Sequence, residues 1–210
     1  MRTTSEKWII GLDEVGRGAL AGPVTVGAAA LLAGMRFDRA ELKRLKLSLR
    51  DSKELSSKAR ERWVVYLKKR KNIRFAVASV PPKTIDKINI SQAANLAATR
   101  AFEKLADYEM MKTEPKVFLD GGLYLKGDWG KRLKVRTVVK GDETIDAVKI
   151  ASIVAKVHRD RLMARRHGKY PHYGFPKHKG YGTARHMRSL KRHGLSAIHR
   201  KTFCGFLKNT

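Results

Sequence analysis

Residues 8–18 read Trp8-Ile9-Ile10-Gly11-Leu12-Asp13-Glu14-Val15-Gly16-Arg17-Gly18, an apolar run that leads through two adjacent acids into a glycine-rich turn. Neighbouring side chains of a β-strand point to opposite faces. Asp13 and Glu14 therefore cannot both enter the core, and we expect at least one of them to be exposed. Adjacent carboxylates repel each other, which costs stability unless a cation neutralises them. The pattern indicates a metal site beside the turn.

The rest of the chain is strongly basic. Its 210 residues include 46 Lys and Arg against 19 Asp and Glu, which gives a formal net charge of +27. Such a charge favours binding to phosphate backbones and makes that binding salt-dependent. Residues 156–210 hold 15 Lys and Arg and one acid, Asp160, so this segment is a candidate nucleic-acid platform. No apolar stretch approaches the ~20 residues that a membrane span needs, and we expect no membrane partner.

Composition also indicates where the protein works. Hydrophobic residues make up 42% of the chain, enough for the core of one domain with a helical appendage. Residues 1–7 are polar and show no signal-peptide pattern. A single cysteine, Cys204, excludes an internal disulfide, fits a reducing compartment, and reads as a small, partly buried side chain. We expect a cytoplasmic protein.

Hydrophobic patterning predicts alternating strands and helices. Strands are expected at residues 7–12, 23–32, 73–80, 116–120 and 133–139, and helices at 56–71, 91–111 and 144–167, the last ended by Gly168. Residues 170–182 read as a loop, and a final helix is expected between an N-cap at Thr183 and a C-cap at Gly194. The order favours an α/β fold in which helices cover a mixed sheet.

Two further acids lie at the ends of predicted strands. Asp120 ends the strand at 116–120, and Asp142 lies between a strand and the helix at 144–167. Strand ends are where α/β sheets place ligand sites, so both can converge with Asp13 and Glu14. Carboxylate oxygens without nearby cysteine or clustered histidine favour Mg²⁺ or Mn²⁺ over zinc. Two such ions about 4 Å apart would support phosphodiester hydrolysis.

Several other polar residues have simpler readings. Taken singly, each acid could be a solvated loop carboxylate or a helix cap, and Glu143 is the nearest rival to Asp142. Asp128 precedes a loop rather than a helix, and Asp146 and Asp160 lie within a helical pattern, where ion pairs with Lys or Arg are expected. The seven histidines all fall at residue 158 or later, show no zinc-helix spacing, and read as part of a basic surface.

An ordered series of motifs carries a resemblance to a known family. After residues 11–18 come Ala21-Gly22-Pro23-Val24, Asp51-Ser52-Lys53-Glu54-Leu55, Ile88-Asn89-Ile90, residues 117–121, Lys140-Gly141-Asp142, Ala151-Ser152-Ile153-Val154-Ala155-Lys156-Val157 with Arg159-Asp160, Tyr173-Gly174-Phe175, His178-Lys179-Gly180-Tyr181-Gly182-Thr183, and His199-Arg200 with Phe203. Over about residues 8–203, this series resembles the type 2 ribonucleases H, the ribonuclease HII family.

The resemblance implies a ribonuclease H-like fold, with a catalytic domain at residues 1–168 and a basic helical substrate-binding segment at 169–210 packed on the same domain. It implies metal-dependent cleavage of the RNA strand of RNA–DNA hybrids and incision 5′ of single ribonucleotides in duplex DNA, leaving 3′-hydroxyl and 5′-phosphate ends.

The resemblance also implies roles for individual residues, carried over by motif position. Asp13, Glu14, Asp120 and Asp142 would be the catalytic acids that bind Mg²⁺ or Mn²⁺. Gly16, Arg17 and Gly18 would contact the ribonucleotide's 2′-hydroxyl and the adjoining backbone. Tyr181 would pack on the next sugar, and Lys53 would hold the nucleic-acid backbone.

Two other functions remain open from the sequence. A non-catalytic RNA-binding or ribosome-associated protein would explain the charge, and it would bind hybrids without cutting them. A junction resolvase would share the fold but leaves the Gly-Arg-Gly and Lys-Gly-Tyr motifs unexplained. We expect a monomer, with a replication clamp as a candidate protein partner.

Overall fold

Five strands form one mixed sheet in the computed structural model, which describes residues 7–49 and 52–209. In chain order they are β1 (Trp8–Val15), β2 (Val24–Leu32), β3 (Ile73–Val80), β4 (Lys116–Asp120) and β5 (Lys134–Val138). Their spatial order is β3-β2-β1-β4-β5. The β1–β2 and β2–β3 pairs are antiparallel, whereas β4 is parallel to both β1 and β5. The predicted α/β class with a mixed sheet is confirmed.

The first strand is longer than predicted, and the difference matters for the acids. Pairing of β1 with β2 continues past residue 12, with Asp13 opposite Gly27 and Glu14 opposite Val26. Both acids therefore belong to a paired strand rather than to a loop, although the pairing of β1 with β4 stops at Leu12. Local composition does not show this, since an acidic pair normally marks the end of a strand.

Nine helices are assigned within the described residues. They are α1 (Arg39–Arg44), α2 (Ser57–Leu67), α3 (Pro82–Leu105), α4 (Tyr108–Lys112), α5 (Trp129–Arg132), α6 (Gly141–Thr144), α7 (Asp146–Lys169), α8 (Phe175–His178) and α9 (Ala184–His193). Short 3₁₀ turns occupy Pro171–Tyr173, Lys201–Phe203 and Gly205–Asn209. No helix of the described part of the chain is both long enough and apolar enough to cross a membrane.

Several predicted helix boundaries were wrong. The helix expected at 91–111 is two helices. Helix α3 starts at Pro82, is interrupted at Asn89 (φ 63°) and ends at Leu105. Asp107 then caps α4, because its side chain accepts from the Met110 N–H at 2.8 Å. Gly168 lies inside α7, and α2 ends at Leu67 rather than residue 71. The caps of α9 at Thr183 and Gly194 are confirmed.

Helices cover both faces of the sheet. Helix α3 packs with β1, β2 and β3 in one core, and α2 and α7 pack over the opposite face. Helix α7 lies very close to the sheet, because a Cβ added at Gly11 would be 2.3 Å from the Ala147 carbonyl carbon and one at Gly27 would be 2.2 Å from the Ala151 oxygen. Glycine in β1 and β2 therefore brings α7 against the two central strands.

A third, smaller core joins the C-terminal segment to the start of the chain. It contains Ala21, Met163, Tyr173, Phe175 and Leu190. The expected loop at 170–182 therefore includes a 3₁₀ turn and α8, both with buried aromatic rings. Cys204, which was expected to be partly buried, is buried. The division into domains at residues 168 and 169 remains a prediction.

Candidate active site

Three strand and helix ends bring the four predicted acids together. In the parallel β1–β4 pair Leu12 faces Leu119, so that Asp13 and Asp120 follow side by side at the same end of the sheet. Asp142 arrives from α6, whose Gly141 N–H donates to Asp120 Oδ1 at 2.7 Å. We call Asp13, Glu14, Asp120 and Asp142 the carboxylate cluster.

Most of the cluster is shielded from water. Asp13 is 6% exposed and Asp142 is 3% exposed, while the Glu14 side chain is 16% exposed. The expectation that Asp13 or Glu14 would be exposed was therefore wrong. The reason is that both residues lie in β1, the central strand of the sheet, where they remain paired with β2.

Burial raises the pKa of Asp13, Glu14 and Asp120. Burial, opposed by a hydrogen bond with Ser152 and reinforced by the charges of the other three acids, raises the pKa of Asp13 from 3.8 to about 8. Burial also raises the pKa of Glu14, against the attraction of Arg17, and that of Asp120, against the Gly141 N–H. The four acids thus act on one another, and their repulsion is a reason to bind positive charge.

The cations of the protein compensate this charge only in part. Lys53 Nζ lies 2.9 Å from Asp142 Oδ2, and Arg17 Nη1 lies 3.5 Å from Glu14 Oε1. Glu14 Oε2 is buried and has no hydrogen-bond partner among residues 7–49 and 52–209. An orphaned, buried carboxylate oxygen amid other carboxylates suits a hard cation, because such ions take oxygen ligands.

The side chains do not, however, stand in a ligating arrangement. Within the described residues, no group of three His, Cys, Asp or Glu side chains converges closely enough to hold a metal ion. Their oxygens face separate donors instead: Asp13 accepts from the Glu14 N–H at 2.8 Å, Asp120 from Gly141, and Asp142 from Lys53. Side-chain rotation would be needed for the four acids to share ions.

Other acids have the simpler roles that the sequence indicated. Asp146 pairs with Lys149 at 3.4 Å and Asp160 with Arg60 at 3.4 Å, as expected for helical acids. Glu143 is exposed and pairs with Lys140 at 3.3 Å. Asp128 is exposed, but the expectation that it precedes a loop was wrong, because it stands at the N-cap position of the short helix α5. Asp51, the first residue of one resembling motif, lies outside the described residues.

The Gly-Arg-Gly turn, residues 16–18, leads directly from the carboxylate cluster. Gly16 has a φ of +85°, and its N–H donates to the Tyr181 hydroxyl at 3.2 Å. Arg17 Nη2 donates to Ser91 Oγ at 3.0 Å, which ties the turn to α3. A Cβ at Gly18 would meet nothing within 4 Å. The structure thus joins Tyr181, which is 38% exposed, to the turn across a separation of 165 residues.

Sequence reasoning missed two buried arginines behind this turn. Arg159 and Arg200 are both 0% exposed, although they were counted among the residues of a basic platform. A usable signal exists for Arg159, since it stands four residues from both Ala155 and Met163 on the buried side of α7. We find no comparable signal for Arg200, which lies outside any regular helix or strand.

The reading of all seven histidines as basic surface was also wrong for three of them. His178, His186 and His199 are buried. His199 Nε2 lies 3.0 Å from His186 Nε2. The other ring nitrogen of His186, Nδ1, lies 2.9 Å from the Tyr181 carbonyl oxygen. His199 Nδ1 accepts from the Ser196 N–H at 2.9 Å. These contacts fit neutral rings with fixed tautomers, in which His199 donates to His186 and His186 donates to Tyr181.

Solved structures share this architecture. The ribonuclease H2 of Pyrococcus horikoshii is 25% identical, with a TM-score of 0.69 over 96% of this chain and 97% of that one. The ribonuclease HII of Archaeoglobus fulgidus, solved as a complex with PCNA, has a TM-score of 0.69 at 24% identity, over 96% and 97% of the two chains. The fold and its acid-bearing central strand therefore define a ribonuclease H-like protein.

Sequence comparison narrows the class to a family. Residues 10–206 match the family model described as Ribonuclease HII. The ribonuclease HII of Treponema denticola is 39% identical over 207 residues, covering 96% of this chain and 99% of its own. The chain belongs to the ribonuclease HII family, and it is a ribonuclease H, a hydrolase of the endonuclease type.

Proposed function

We propose that this protein is a divalent-metal-dependent endonuclease that cleaves the RNA strand of RNA–DNA hybrids and incises 5′ of single ribonucleotides in duplex DNA. The observation that carries this proposal is the adjacency of two functions on one stretch of chain. Asp13 and Glu14 belong to the carboxylate cluster, and the Gly-Arg-Gly turn that contacts Tyr181 begins two residues later. Hydrolytic groups and groups suited to sensing ribose therefore share one site.

The carboxylate cluster would hold Mg²⁺ or Mn²⁺ through Asp13, Glu14, Asp120 and Asp142. Bound dications would lower the pKa of a water nucleophile and offset charge on the leaving 3′-oxygen, which gives 3′-hydroxyl and 5′-phosphate ends. Asp13 supplies a buried carboxyl group whose pKa is raised to about 8, and Glu14 supplies the oxygen that lacks a partner among the described residues. The cluster excludes most water before substrate arrives, as its burial indicates.

Lys53 would have a second role beside the acids. Its side chain is 68% exposed, while its ammonium group reaches the buried Asp142 carboxylate. From this position the lysine can neutralise Asp142 in the free protein and turn outward to a phosphate of the bound nucleic acid. This supports the expected contact with the backbone and gives it a physical origin.

The Gly-Arg-Gly turn and Tyr181 would recognise the ribonucleotide. Glycine allows backbone to approach a nucleic acid closely, and the open space beyond Gly18 leaves room for a ribose. The 2′-hydroxyl can both donate and accept hydrogen bonds, so main-chain groups of the turn can distinguish RNA from DNA. The Tyr181 ring is partly exposed while its hydroxyl is held by Gly16, which suits packing against the following sugar.

Basic residues of α9 would hold the duplex. Helix α9 buries His186 and Leu190, and it exposes Arg185, Arg188, Lys191 and Arg192. Positive side chains on one exposed helix face bind phosphates with little regard to sequence. This surface supports the proposed substrate-binding role of residues 169–210.

One assay tests the function. The protein is incubated with duplex DNA carrying a single ribonucleotide, in Mg²⁺, in Mn²⁺ or in EDTA, and the product ends are mapped. We expect cleavage 5′ of the ribonucleotide that requires the dication. Cleavage that persists in EDTA or ignores the ribonucleotide contradicts the proposal, whereas tight binding without cleavage in either metal favours a non-catalytic RNA-binding protein.

Other attributes remain proposals. A monomer working in the cytoplasm is expected from the sequence, and the PCNA complex of the Archaeoglobus fulgidus protein makes a sliding clamp a partner to test. Size-exclusion chromatography with and without a purified clamp tests both the monomer and this partner.

A further inference from the structure

Arg159 and Arg200 form an unusual pair of buried charges behind the Gly-Arg-Gly turn. Both side chains are 0% exposed, and neither takes part in an ion pair within residues 7–49 and 52–209. Moving a charge out of water is expensive unless it is paired or fully hydrogen-bonded. Because apolar replacements of buried charged groups are often no less stable, stability alone does not account for two guanidinium groups here.

Main-chain carbonyl oxygens satisfy both groups. Arg200 donates to the carbonyl oxygens of Gly16 at 2.6 Å, Arg17 at 2.7 Å and Gly22 at 3.1 Å. Two of these three acceptors belong to the turn itself. A guanidinium presents five N–H donors in a rigid plane, so these bonds fix the relative positions of the carbonyl groups that accept them.

Arg159 extends the same arrangement to neighbouring segments. It donates to the carbonyl oxygens of Pro23 at 3.0 Å, Ala21 at 3.1 Å and Lys179 at 2.8 Å. Its guanidinium carbon lies 5.4 Å from the centre of the Tyr181 ring. Arg159 therefore links the residues after the turn to the segment that carries Tyr181.

The pair is itself held firmly. The Arg200 N–H donates to the Leu20 carbonyl oxygen at 2.8 Å, and Asp86 accepts from the N–H groups of Lys201 and Thr202, each at 3.0 Å. The turn also fits closely against Arg159, because a Cβ at Gly16 would be 2.2 Å from Arg159 Nε. Backbone anchors on one side and a close steric fit on the other leave the turn little freedom.

The inward direction of these carbonyl groups also affects the outer side of the turn. With the carbonyl oxygens of Gly16 and Arg17 directed inward to Arg200, acceptor groups that would repel phosphate are removed from the side that faces solvent. The buried positive charge, which carbonyl dipoles solvate without neutralising it, also favours a polyanion at that side.

We propose that Arg159 and Arg200 are positioning residues that hold the Gly-Arg-Gly turn in the shape required to engage a ribonucleotide, with Arg200 the principal one. This inference rests on the function proposed above. Neither arginine touches substrate. Arg200 acts through the main chain of the turn, and Arg159 acts through the residues that follow the turn and through the segment that carries Tyr181. Their loss should therefore slow turnover more than it weakens duplex binding, since the exposed basic surface is left intact.

The test is Arg200→Lys, which keeps the charge but cannot span three carbonyl groups with a planar fork. Arg100→Lys, on the exposed surface of α3, is the matched control. On duplex DNA with one ribonucleotide, we expect kcat of Arg200→Lys to fall by about tenfold or more, since small misplacements are costly, with KM rising less than about threefold. A folded Arg200→Lys protein with unchanged kcat, or with the whole loss in KM, overturns the proposal.

A second measurement on the unaltered protein decides the matter if Arg200→Lys fails to fold. Nitrogen-15 NMR follows solvent exchange of the arginine Nε–H protons. We expect those of Arg159 and Arg200 to exchange far more slowly than that of Arg100, because both donate to buried carbonyl groups. Exchange as fast as that of Arg100 contradicts the proposal. An unaltered protein that cleaves nothing would refute the proposed function, while the NMR measurement would still report on the arginines.

Discussion

Two glycines of the Gly-Arg-Gly turn should tolerate a methyl group very differently. Gly16 combines a φ of +85° with a Cβ position 2.2 Å from Arg159 Nε, whereas a Cβ at Gly18 would meet open space. We expect Gly16→Ala to lower the free energy of unfolding by about 1–3 kcal/mol, from backbone strain and overpacking. Gly18→Ala should change it by less than about 0.5 kcal/mol. Urea denaturation measures both, and equal stabilities would show that the turn is not confined as described.

Replacement of a single carboxylate oxygen should separate cleavage from binding. We expect Asp120→Asn to abolish cleavage of a ribonucleotide-containing duplex, because a neutral amide is a poor ligand for Mg²⁺. The remaining Oδ1 can still accept from Gly141, so α6 should keep its place and affinity should stay largely unchanged.

Asp128→Asn is the matched control for this change, since Asp128 is exposed and lies outside the carboxylate cluster. It should cleave like the unaltered protein. Cleavage is measured from product ends resolved on a gel, and binding is measured by fluorescence anisotropy. If Asp120→Asn still cleaves the duplex, Asp120 is not one of the catalytic acids.

The contact between α7 and the central strands should be intolerant of added volume. A methyl group at Gly11 would meet the main chain of Ala147 at 2.3 Å, and main chain cannot move aside as a side chain can. We expect Gly11→Ala to cost about 1–3 kcal/mol of unfolding free energy, or more, because the helix must shift. Gly130→Ala, with nothing within 4 Å, is the control. Thermal and urea unfolding of the two variants should differ clearly, and matched unfolding curves would count against such close packing.

Elements with a clear repeating pattern were predicted best. Strands β3 and β4 and helix α9 follow from alternation or from caps at Thr183 and Gly194. Boundaries failed where tertiary contacts overrode local signals. Asn89 interrupts α3 with a positive φ while its side chain accepts from the Gln92 N–H at 3.0 Å, and Gly168 remains helical within α7. Neither outcome follows from helix propensity alone.

Acid should weaken the protein through its buried histidines. Burial lowers the pKa of both His186 and His199 from 6.5 to about 4. The unfolded chain therefore binds more protons between these values, so stability is complete above pH 6.5 and is lost as the pH falls towards 4. The loss is at most about 1.4 kcal/mol per pH unit for each imidazole.

A comparison of variants isolates this effect, because the raised pKa of Asp13 acts with the opposite sign over part of the same range. The stability of the unaltered protein relative to His199→Gln should fall as the pH is lowered from 6.5 to 4. The control is His172→Gln, at an exposed position. The stability difference between the unaltered protein and this variant should stay constant over the same pH range. Denaturant unfolding at several pH values gives both differences, and parallel profiles for all three proteins would refute neutral burial.

Binding to nucleic acid should depend steeply on salt. With a net charge of +27 and a contact surface on α9, we expect a loss of about 10³–10⁵ in duplex affinity between 50 and 200 mM salt if roughly 6–10 phosphates are contacted. Replacing Arg185 and Arg188 together by Ala should reduce the slope of log affinity against log salt by about 2. Replacing the exposed Lys68 and Lys69 together by Ala is the control and should leave the slope unchanged. Both pairs of replacements are made in Asp120→Asn protein, so that the duplex is not cleaved, and affinity is measured by anisotropy titration.

Much of the candidate site was visible in the sequence because its parts are short, local motifs. Asp13 with Glu14, Asp120, Asp142 and the Gly-Arg-Gly turn were all named from spacing or resemblance. The supports were not visible. Arg200 and His199 look like ordinary surface charge. Only the fold shows that Arg200 contacts the turn from the buried side and that His199 contacts His186, which in turn contacts the Tyr181 carbonyl oxygen. Such roles depend on contacts between residues far apart in the chain.

The hydrogen bond between Arg200 and the Gly16 carbonyl spans 184 positions of the chain. Translation proceeds from the amino terminus at about 5–20 residues per second, so Gly16 leaves the ribosome roughly 10 to 40 s before Arg200. During that interval the nascent polypeptide has its first acidic strand but lacks the guanidinium that steadies the following bend. The turn can therefore gain its hydrogen bonds to Arg200 only after the intervening chain has been synthesised.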